Sequence, residues 1–147
     1  VDPPSEINST LGGLWPAHIE RRAQYGRGLG ARLTNAMMKA PHGAVIFIGT
    51  DAPGLTRALI LRCVQHLRHD GAVFGPARDG GFWLFGLSHS LRDPSVFEGV
   101  RWSSPHAMED VWSNLPSRAK VSLLPQLIDI DRWADWQLYK KQYRSQL

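Results

Sequence analysis

Apolar residues recur at helical spacing in two early segments of the chain. Over residues 29–40 they fall three to four positions apart, which predicts a helix that stops at Pro41. Thr56 is predicted to cap a second helix that runs to about Asp70. The residues expected to face inward from this second helix are Leu59, Ile60, Cys63, Val64 and Leu67.

Short apolar runs rich in β-branched or aromatic residues predict the strands. Ala44–Gly49, Ala72–Gly75 and Phe82–Leu87 are such runs, and a fourth strand is expected within Val121–Ile130. The first run contains no charged or polar side chain. That pattern is typical of a strand buried on both faces of a parallel sheet.

Two more helices are predicted in the second half of the chain. One begins at Ser103–Pro105 and ends near Leu115, and Asp131 is expected to open the other. The last helix carries an aromatic stripe that is expected to pack in the core: Trp133, Trp136, Tyr139 and Tyr143. The order of helices and strands predicts an α/β fold, layered around a mainly parallel sheet.

Length and composition are those of one globular domain. The chain has 147 residues, of which 43% are hydrophobic and 20% charged, enough for a sizeable core in a single domain spanning 1–147. Its one cysteine, Cys63, excludes an internal disulfide and suits a reducing cytoplasm, which is the location we expect. No apolar run approaches the roughly 20 residues of a membrane span.

The charge balance favours anionic partners. The formal net charge is +4, which suits nucleotides and phosphorylated small molecules. Six tryptophans and the basic tail at 140–144 would also suit stacking on nucleic acid. Because the aromatic residues of that region fall at helical spacing, core packing is favoured and nucleic-acid binding is not expected.

Acidic residues follow three of the predicted strands. Asp51 comes after the first strand, Asp79 after the second, and Asp129 and Asp131 end the last. Ligands of open parallel sheets bind beyond the carboxyl ends of the strands, so these side chains are expected to share one crevice. Mg²⁺ or Mn²⁺ would relieve the repulsion among them and could hold a diphosphate. The alternative is that each aspartate only shapes a turn or caps a helix.

Two glycine-containing segments are candidate ligand loops. Gly80 and Gly81 allow close backbone approach, or simply make a tight turn. The segment 26–32, GRGLGAR, places backbone amides and two arginines at a helix start, which favours anions. It is neither a Walker loop nor a dinucleotide fingerprint. Cys63, His66 and His69 recur every three residues, but without a fourth ligand they indicate an ordinary helix rather than a zinc site.

Four segments carry a family resemblance: GTDAPGL, PARDGGFWLFGL, VFEGVRWSS and DIDRWADW. In this order and spacing they resemble a bacterial family of uncharacterised glycosyltransferase-A-like proteins, described as nucleotide-diphospho-sugar transferase-like or as a domain of unknown function. That family is distantly similar to molybdenum-cofactor and phospholactate guanylyltransferases. The resemblance covers residues 26–136, whereas residues 1–25 match poorly.

The resemblance implies a nucleotide-diphospho-sugar transferase fold, a three-layer α/β/α sandwich. It implies that Asp51 binds a metal, that Asp129 and Asp131 supply a second metal contact, and that Asp79 orients an acceptor hydroxyl or acts as a base. The implied substrate-binding residues are Gly28, Gly30, Arg32, Gly80, Gly81, Trp102 and Ser103.

The chain departs from the family pattern in two places. Arg132 and Trp136 replace a threonine and a leucine after the late Asp-x-Asp, although Asp135 is kept. The strand and basic loop that open family members and grip the nucleotide have no counterpart in residues 1–22. We therefore expect this sequence to correspond to the carboxyl-terminal two-thirds of a family member, without its first βα unit.

The expected function is a metal-dependent transferase that moves a sugar from a nucleotide-diphospho-sugar, with Mg²⁺ or Mn²⁺ as the cofactor. Nucleotidyl transfer of the guanylyltransferase type is the first alternative, with a nucleoside triphosphate as the substrate. A catalytically incomplete binding module is the second alternative. The residues leave these alternatives open.

Overall fold

The computed structural model describes residues 4–9, 16, 18–69 and 71–142. Its helices are α1 (Gly28–Lys39), α2 (Arg57–Leu67), α3 (Ala107–Ser113) and α4 (Trp133–Gln142). Its strands are β1 (Val45–Ile48), β2 (Gly71–Pro76), β3 (Phe82–Leu87) and β4 (Lys120–Leu123). Each predicted helix and strand is present, with boundaries that differ by a few residues.

Local hydrogen bonds explain where α2 and α4 begin. Thr56 caps α2, because its Oγ1 accepts a hydrogen bond from the Leu59 amide at 3.3 Å. The last helix begins at Trp133 rather than at Asp131. The side chain of Asp135 accepts the Arg132 amide at 2.8 Å and so satisfies an amide at the helix start.

The sheet has four strands in the order β1-β3-β2-β4. Strand β3 runs antiparallel to both of its neighbours, with Phe85 opposite Phe47 on one side and Phe74 on the other. Strands β2 and β4 are parallel, with Phe74 opposite Leu123. The fold class is mixed α/β, as predicted.

The prediction of a mainly parallel sheet is not confirmed. Only the short loop 77–81 joins β2 to β3. A parallel pair needs a crossover of a dozen or more residues, so two neighbouring strands this close in sequence pair antiparallel. The continuous apolar pattern of β3 reports burial on both faces and carries no information on strand direction.

Helices cover both faces of the sheet. On one face Met37 of α1 and Val111 of α3 pack with Phe74 and Phe85. On the other face Cys63 of α2 packs with residues that include Val73, Leu84 and Leu127. The result is the three-layer arrangement that the resemblance implied.

Three sequence predictions about burial are wrong. Strand β1 was expected to be buried on both faces, but it lies at the edge of the sheet, none of its residues is buried and Ile48 is 42% exposed. Val64 was expected to face inward from α2 but is 38% exposed. The aromatic stripe of α4 was expected in the core, yet no residue of α4 is buried and Trp133 is 70% exposed. Tyr143, the last member of that stripe, lies outside the described residues. Among the helices described, none has the length and apolar character needed to cross a bilayer.

Arg101 and Asp110 link the segment before α3 to the helix itself. The guanidinium donates from Nη2 to Oδ1 at 2.7 Å and from Nε to Oδ2 at 2.9 Å. The Arg101 amide also donates to Oδ2, at 2.9 Å. These hydrogen bonds lower the pKa of Asp110 from its ordinary 3.8 to about 2.

Replacing Asp110 with asparagine is expected to make the unfolding free energy depend less on pH at acidic pH. Because the folded-state pKa is depressed, the carboxylate stabilises the fold above the ordinary pKa of 3.8, and this contribution is lost as the pH falls toward about 2. The unfolding free energy, measured by urea denaturation across that range, should therefore fall more steeply in the wild type than in Asp110→Asn. Arg101→Met should flatten the curve similarly, and parallel curves for all three proteins would contradict the assignment.

Candidate functional site

Three carboxylates come together beyond the ends of β2 and β4. Asp79 lies in the loop 77–81, and Asp129 and Asp131 lie between β4 and α4. One carboxylate oxygen from each of the three residues lies within 4.8 Å of the others. Asp79 and Asp131 are exposed to solvent, and Asp129 is partly buried. We call these three residues the acidic cluster.

Asp79 is oriented by its own loop. Its Oδ1 accepts a hydrogen bond from the Gly81 amide at 2.8 Å, and the Ala77 amide closes the loop by donating to Gly81 O at 3.0 Å. The Met108 amide at the start of α3 donates to Gly80 O at 3.1 Å. One oxygen of Asp79 is thus held by the backbone, and the loop is fastened to α3.

The segment that carries the other two aspartates is attached to the same loop. Leu127 continues the parallel pairing with a bridge to Ala77, and its amide donates to Pro76 O at 3.1 Å. The side chain of Gln126 donates to Ala77 O at 3.2 Å. These contacts bring Asp129 and Asp131 beside Asp79.

Asp51 borders the acidic cluster without joining it. Its carbonyl oxygen accepts the Ile130 amide at 2.9 Å, which fixes the loop after β1 against the Asp129–Asp131 segment. Its carboxylate is close enough to act electrostatically on Asp129, but it is outside the group of oxygens that lie within 4.8 Å of one another. The structure therefore places Asp79, rather than Asp51, with the late pair of aspartates.

The pKa of Asp129 is raised, mainly because partial burial disfavours the charged carboxylate. A hydrogen bond from its own backbone amide opposes this effect. The negative charges of Asp79, Asp131 and Asp51 raise the pKa further. The cluster is thus a place where several like charges are held together at a free-energy cost.

The donor set of the acidic cluster fits a hard divalent cation. Among the residues that the structure describes, no lysine, arginine or histidine forms an ion pair with Asp79, Asp129 or Asp131. All three offer carboxylate oxygen, the ligand type that suits Mg²⁺ and Mn²⁺, and they supply no sulfur or imidazole that would favour zinc. A cation bound here would remove the mutual repulsion of the carboxylates.

The glycine-rich start of α1 lies against Trp102 rather than in the acidic cluster. A Cβ added to Gly30 would lie 2.9 Å from Trp102 Nε1, so glycine allows the indole to pack against the helix. Gly28 has φ +79° and faces open space. The Nε of Arg32 donates to Gly26 O at 3.4 Å. The substrate-binding role of these α1 residues stays a prediction.

The other predicted substrate residues link this region to the Asp79 loop. Trp102 packs near Phe82 and Phe97, with ring centroids 6.2 and 6.1 Å away. Ser103 is exposed and has the unusual φ of +56° for a residue other than glycine. Pro105, two residues later, contacts Gly80 so closely that no Cβ would fit there. A side chain at Gly81 would be less hindered, since a Cβ added there would lie 3.1 Å from Asp79 Oδ1.

Cys63 of α2 packs in the core and is not part of the acidic cluster. It is fully buried, and burial raises the pKa of its thiol to about 11. A thiol held in its neutral form is a poor nucleophile and a poor metal ligand. The sequence interpretation of an ordinary helix at Cys63, His66 and His69 agrees with this burial.

Sequence reasoning did not anticipate which aspartates share the closest geometry. The strand-end rule indicated one crevice for all four, but the grouping depends on the Ala77–Leu127 bridge and on the Ile130–Asp51 hydrogen bond. The exposure of Trp133 beside the cluster was also missed. The only sequence signal for it was that the stripe contained Lys140 and Gln137 between its aromatic residues.

Comparison with known proteins finds one matching family and one similar solved structure. The family described as "Uncharacterized protein conserved in bacteria (DUF2064)" matches residues 3–104. A crystal structure from Desulfovibrio desulfuricans G20, of a protein provisionally named a nucleotide-diphospho-sugar transferase, matches with a TM-score of 0.77 and 30% sequence identity. The match covers 98% of this chain and 62% of that one, so this chain spans less than two-thirds of the length of that protein. No curated protein matches.

Proposed function

The chain belongs to the family of uncharacterized proteins conserved in bacteria named DUF2064, and on this premise we propose that it is a metal-dependent transferase that acts on a nucleotide-diphospho-sugar. The solved relative, provisionally named as such a transferase, supports the substrate class.

One observation carries the proposal. Three carboxylates from two separate segments of the chain lie within 4.8 Å of one another, and no basic side chain among the described residues forms an ion pair with them. Like charges this close repel one another, and a bound cation removes that repulsion. A divalent cation held there would in turn bind an anionic diphosphate.

Asp79, Asp129 and Asp131 would hold the cation. When bound, Mg²⁺ or Mn²⁺ would act as a Lewis acid that neutralises the charge on the departing diphosphate. The hydrogen bond from the Gly81 amide fixes one oxygen of Asp79 and leaves the other carboxylate oxygen free for a ligand. The attachment of Leu127 to Pro76 fixes the distance between the two segments, so the carboxylates are placed before any ligand arrives.

Asp51 is then free for a different role from the one the sequence suggested. It lies next to the acidic cluster through its hydrogen bond with Ile130, but its carboxylate is outside the closest group. We propose that Asp51 accepts the proton of an attacking hydroxyl group. Asp79, for which that role was predicted from the sequence, is here a metal ligand.

Replacing Asp129 with asparagine is expected to weaken Mn²⁺ binding by about a hundredfold, because the variant loses a charged ligand at the centre of the cluster. The same substitution should raise the thermal stability of the metal-free protein, because it removes a carboxylate that is repelled by its neighbours. Isothermal titration calorimetry with Mn²⁺ and thermal melts with and without the metal measure the two effects. Their opposite signs separate loss of a ligand from general misfolding.

Asp110→Asn is the matched control for this experiment. It also neutralises one aspartate, but Asp110 is paired with Arg101, outside the acidic cluster. It should therefore leave Mn²⁺ affinity unchanged. Equal Mn²⁺ affinity in Asp129→Asn and the wild type would exclude the acidic cluster as the metal site.

The products decide between the two transfer reactions. The protein is incubated with Mn²⁺, nucleotide-sugars and candidate acceptors, and release of a nucleoside diphosphate is measured by chromatography. Parallel reactions contain a nucleoside triphosphate and a sugar 1-phosphate. Release of a nucleoside diphosphate supports sugar transfer. Release of pyrophosphate in the parallel reactions would instead show that the protein catalyses nucleotidyl transfer. Metal-dependent nucleotide binding without any product would favour a binding module.

A further inference from the structure

Trp133 is the most exposed large apolar side chain in the described part of the chain, at 70% exposure. It lies in the first turn of α4, two residues after Asp131 of the acidic cluster. A single exposed apolar residue is common on protein surfaces, but Trp133 is close in sequence to the acidic cluster and belongs to a group of aromatic and basic side chains on α4.

The indole of Trp133 is held by its neighbours rather than left free. Lys140 Nζ lies 5.4 Å from the centroid of Trp133 and 5.6 Å from that of Trp136. Trp136 in turn stacks on Tyr139, with centroids 5.8 Å apart and rings inclined by 14°. These cation–π and stacking contacts order the aromatic side of α4 before a ligand binds, which lowers the entropy cost of binding.

The position of Trp133 selects the part of the substrate that can reach it. Trp133 is two residues after Asp131, so the distance between their Cα atoms is at most about 7.6 Å. In a nucleotide-diphospho-sugar the sugar ring is bonded directly to a phosphate oxygen, whereas the base is separated from the diphosphate by the ribose. The ring nearest to a diphosphate held at the acidic cluster is therefore the sugar.

Charge supports the same arrangement. Three carboxylates and a diphosphate ester together carry more negative charge than one divalent cation neutralises. Lys140, kept over the indoles, and Lys141 add positive charge on the helix that follows Asp131. An anionic sugar phosphate is thus complementary to a surface that combines an aromatic ring with two cations.

A membrane surface is the competing occupant for an aromatic and basic helix. Helices that lie on a membrane surface carry their polar and apolar residues on opposite sides. In α4, Gln137 lies on the same side as Trp133, one turn away, and Leu138 lies on a different side. Polar residues therefore interrupt the aromatic side of α4, and the helix does not offer the continuous apolar face that a membrane surface needs.

We propose that Trp133 is a substrate-binding residue on which the face of the transferred sugar ring stacks, with Lys140 and Trp136 holding the indole in place. This inference rests on the proposed function, because the acidic cluster must hold the phosphate beside which the ring is placed. The axial C–H bonds of a pyranose give it an apolar face that matches an indole, while its hydroxyls stay in water.

The test compares three phosphate compounds in the presence of Mg²⁺: glucose 1-phosphate, uridine monophosphate and inorganic phosphate. Ligand-observed NMR titrations give the affinity of each for the wild type, Trp133→Ala and Trp133→Phe. Trp133→Ala is expected to weaken glucose 1-phosphate about fivefold to tenfold and to leave inorganic phosphate unchanged. Trp133→Phe, which keeps an aromatic ring, should recover most of the affinity.

Trp112→Phe is the matched control, because Trp112 is 40% exposed but stacks on Phe74 of the core, with ring centroids 5.8 Å apart. It should change none of the three affinities. A loss of affinity for uridine monophosphate instead of glucose 1-phosphate would overturn the inference by assigning the ring to the base, and no loss in Trp133→Ala would also overturn it. Failure of the wild type to bind any of the three would overturn the proposed function and this inference with it.

Discussion

Replacing Gly80 with alanine is expected to destabilise the protein by about 4 kcal/mol, from backbone strain and overpacking together. Gly80 has φ +91°, a conformation that residues with a Cβ rarely adopt. A Cβ at this position would also lie 2.2 Å from Pro105 O and 2.5 Å from Pro105 Cα. Both are backbone atoms, so no side-chain rotation can relieve the overlap.

The loop around Gly80 cannot easily move away from Pro105. Gly80 O accepts the Met108 amide, and the Ala77–Gly81 hydrogen bond closes the loop from the other side. Any shift that relieves the clash therefore moves Asp79, which the same loop carries. We expect Gly80→Ala to weaken Mn²⁺ binding as well as folding, and calorimetric titration of the folded fraction measures this second effect.

Gly99→Ala separates the two causes of the destabilisation. Gly99 also has a positive φ, of +66°, but a Cβ there would meet nothing within 4 Å. It should lose only about 1 kcal/mol, the cost of the backbone conformation alone. Urea denaturation of both variants gives the comparison. If Gly80→Ala is no less stable than Gly99→Ala, the contact with Pro105 does not constrain the loop.

Replacing Arg92 with methionine is expected to destabilise the protein by about 3 kcal/mol, because a charged group that binds several carbonyls is lost. Nη1 of Arg92 donates to Pro41 O at 2.7 Å and to Gly43 O at 3.2 Å. Nη2 donates to Ala40 O at 2.9 Å and also to Met37 O. One guanidinium thus binds four carbonyls where α1 ends and the chain turns into β1.

The end of a helix leaves its last carbonyls without intrahelical partners, and the helix dipole makes this end negative. Arg92, from a distant part of the chain, donates hydrogen bonds to these carbonyls and places a positive charge at the negative end of the helix. Methionine keeps much of the volume but donates no hydrogen bond. Lysine keeps the charge but has a single ammonium group, so Arg92→Lys should lie between the wild type and Arg92→Met.

Chemical denaturation of the wild type and both Arg92 variants measures the expected order. Hydrogen exchange of the α1 amides provides a local readout, and protection should fall most in the last turn of the helix. An Arg92→Met protein within 1 kcal/mol of the wild type would show that water replaces the guanidinium at these carbonyls.

Several features of the fold could be predicted because neighbouring residues decide them. The cap of α2 at Thr56 is one, since the hydroxyl reaches an amide three residues ahead. The end of α1 before Pro41 is another. The strand Phe82–Leu87 follows from its own apolar composition. In each case the relevant interaction lies within one turn or one strand of the sequence.

The exposure of the aromatic residues of α4 could not be predicted in the same way. A stripe of aromatic residues at helical spacing indicates one face, but it does not say whether another element packs on that face. In the described structure no α4 residue is buried, and the stripe is ordered by Lys140 instead. Whether an apolar face becomes core or binding surface depends on elements distant in sequence.

The acidic cluster, too, could be predicted from the sequence only in part. That Asp51, Asp79, Asp129 and Asp131 follow strands was evident from the chain alone, and it predicted their approach to one edge of the sheet. Which of them come within ligand distance depends on the pairing of Ala77 with Leu127, across a long stretch of chain. The distances between these carboxylates decide which of them could bind one cation together.

The order of residues along this chain by itself determined the helices, the strands, the cap of α2 and the acidic character of the loops, since periodicity, capping and turn chemistry act over a few residues. Tertiary structure alone decided the antiparallel insertion of β3, the exclusion of Asp51 from the closest acidic group and the exposure of Trp133. These outcomes depend on how distant segments are packed and paired, and the free energy of such contacts depends on three-dimensional distances that local sequence patterns do not encode.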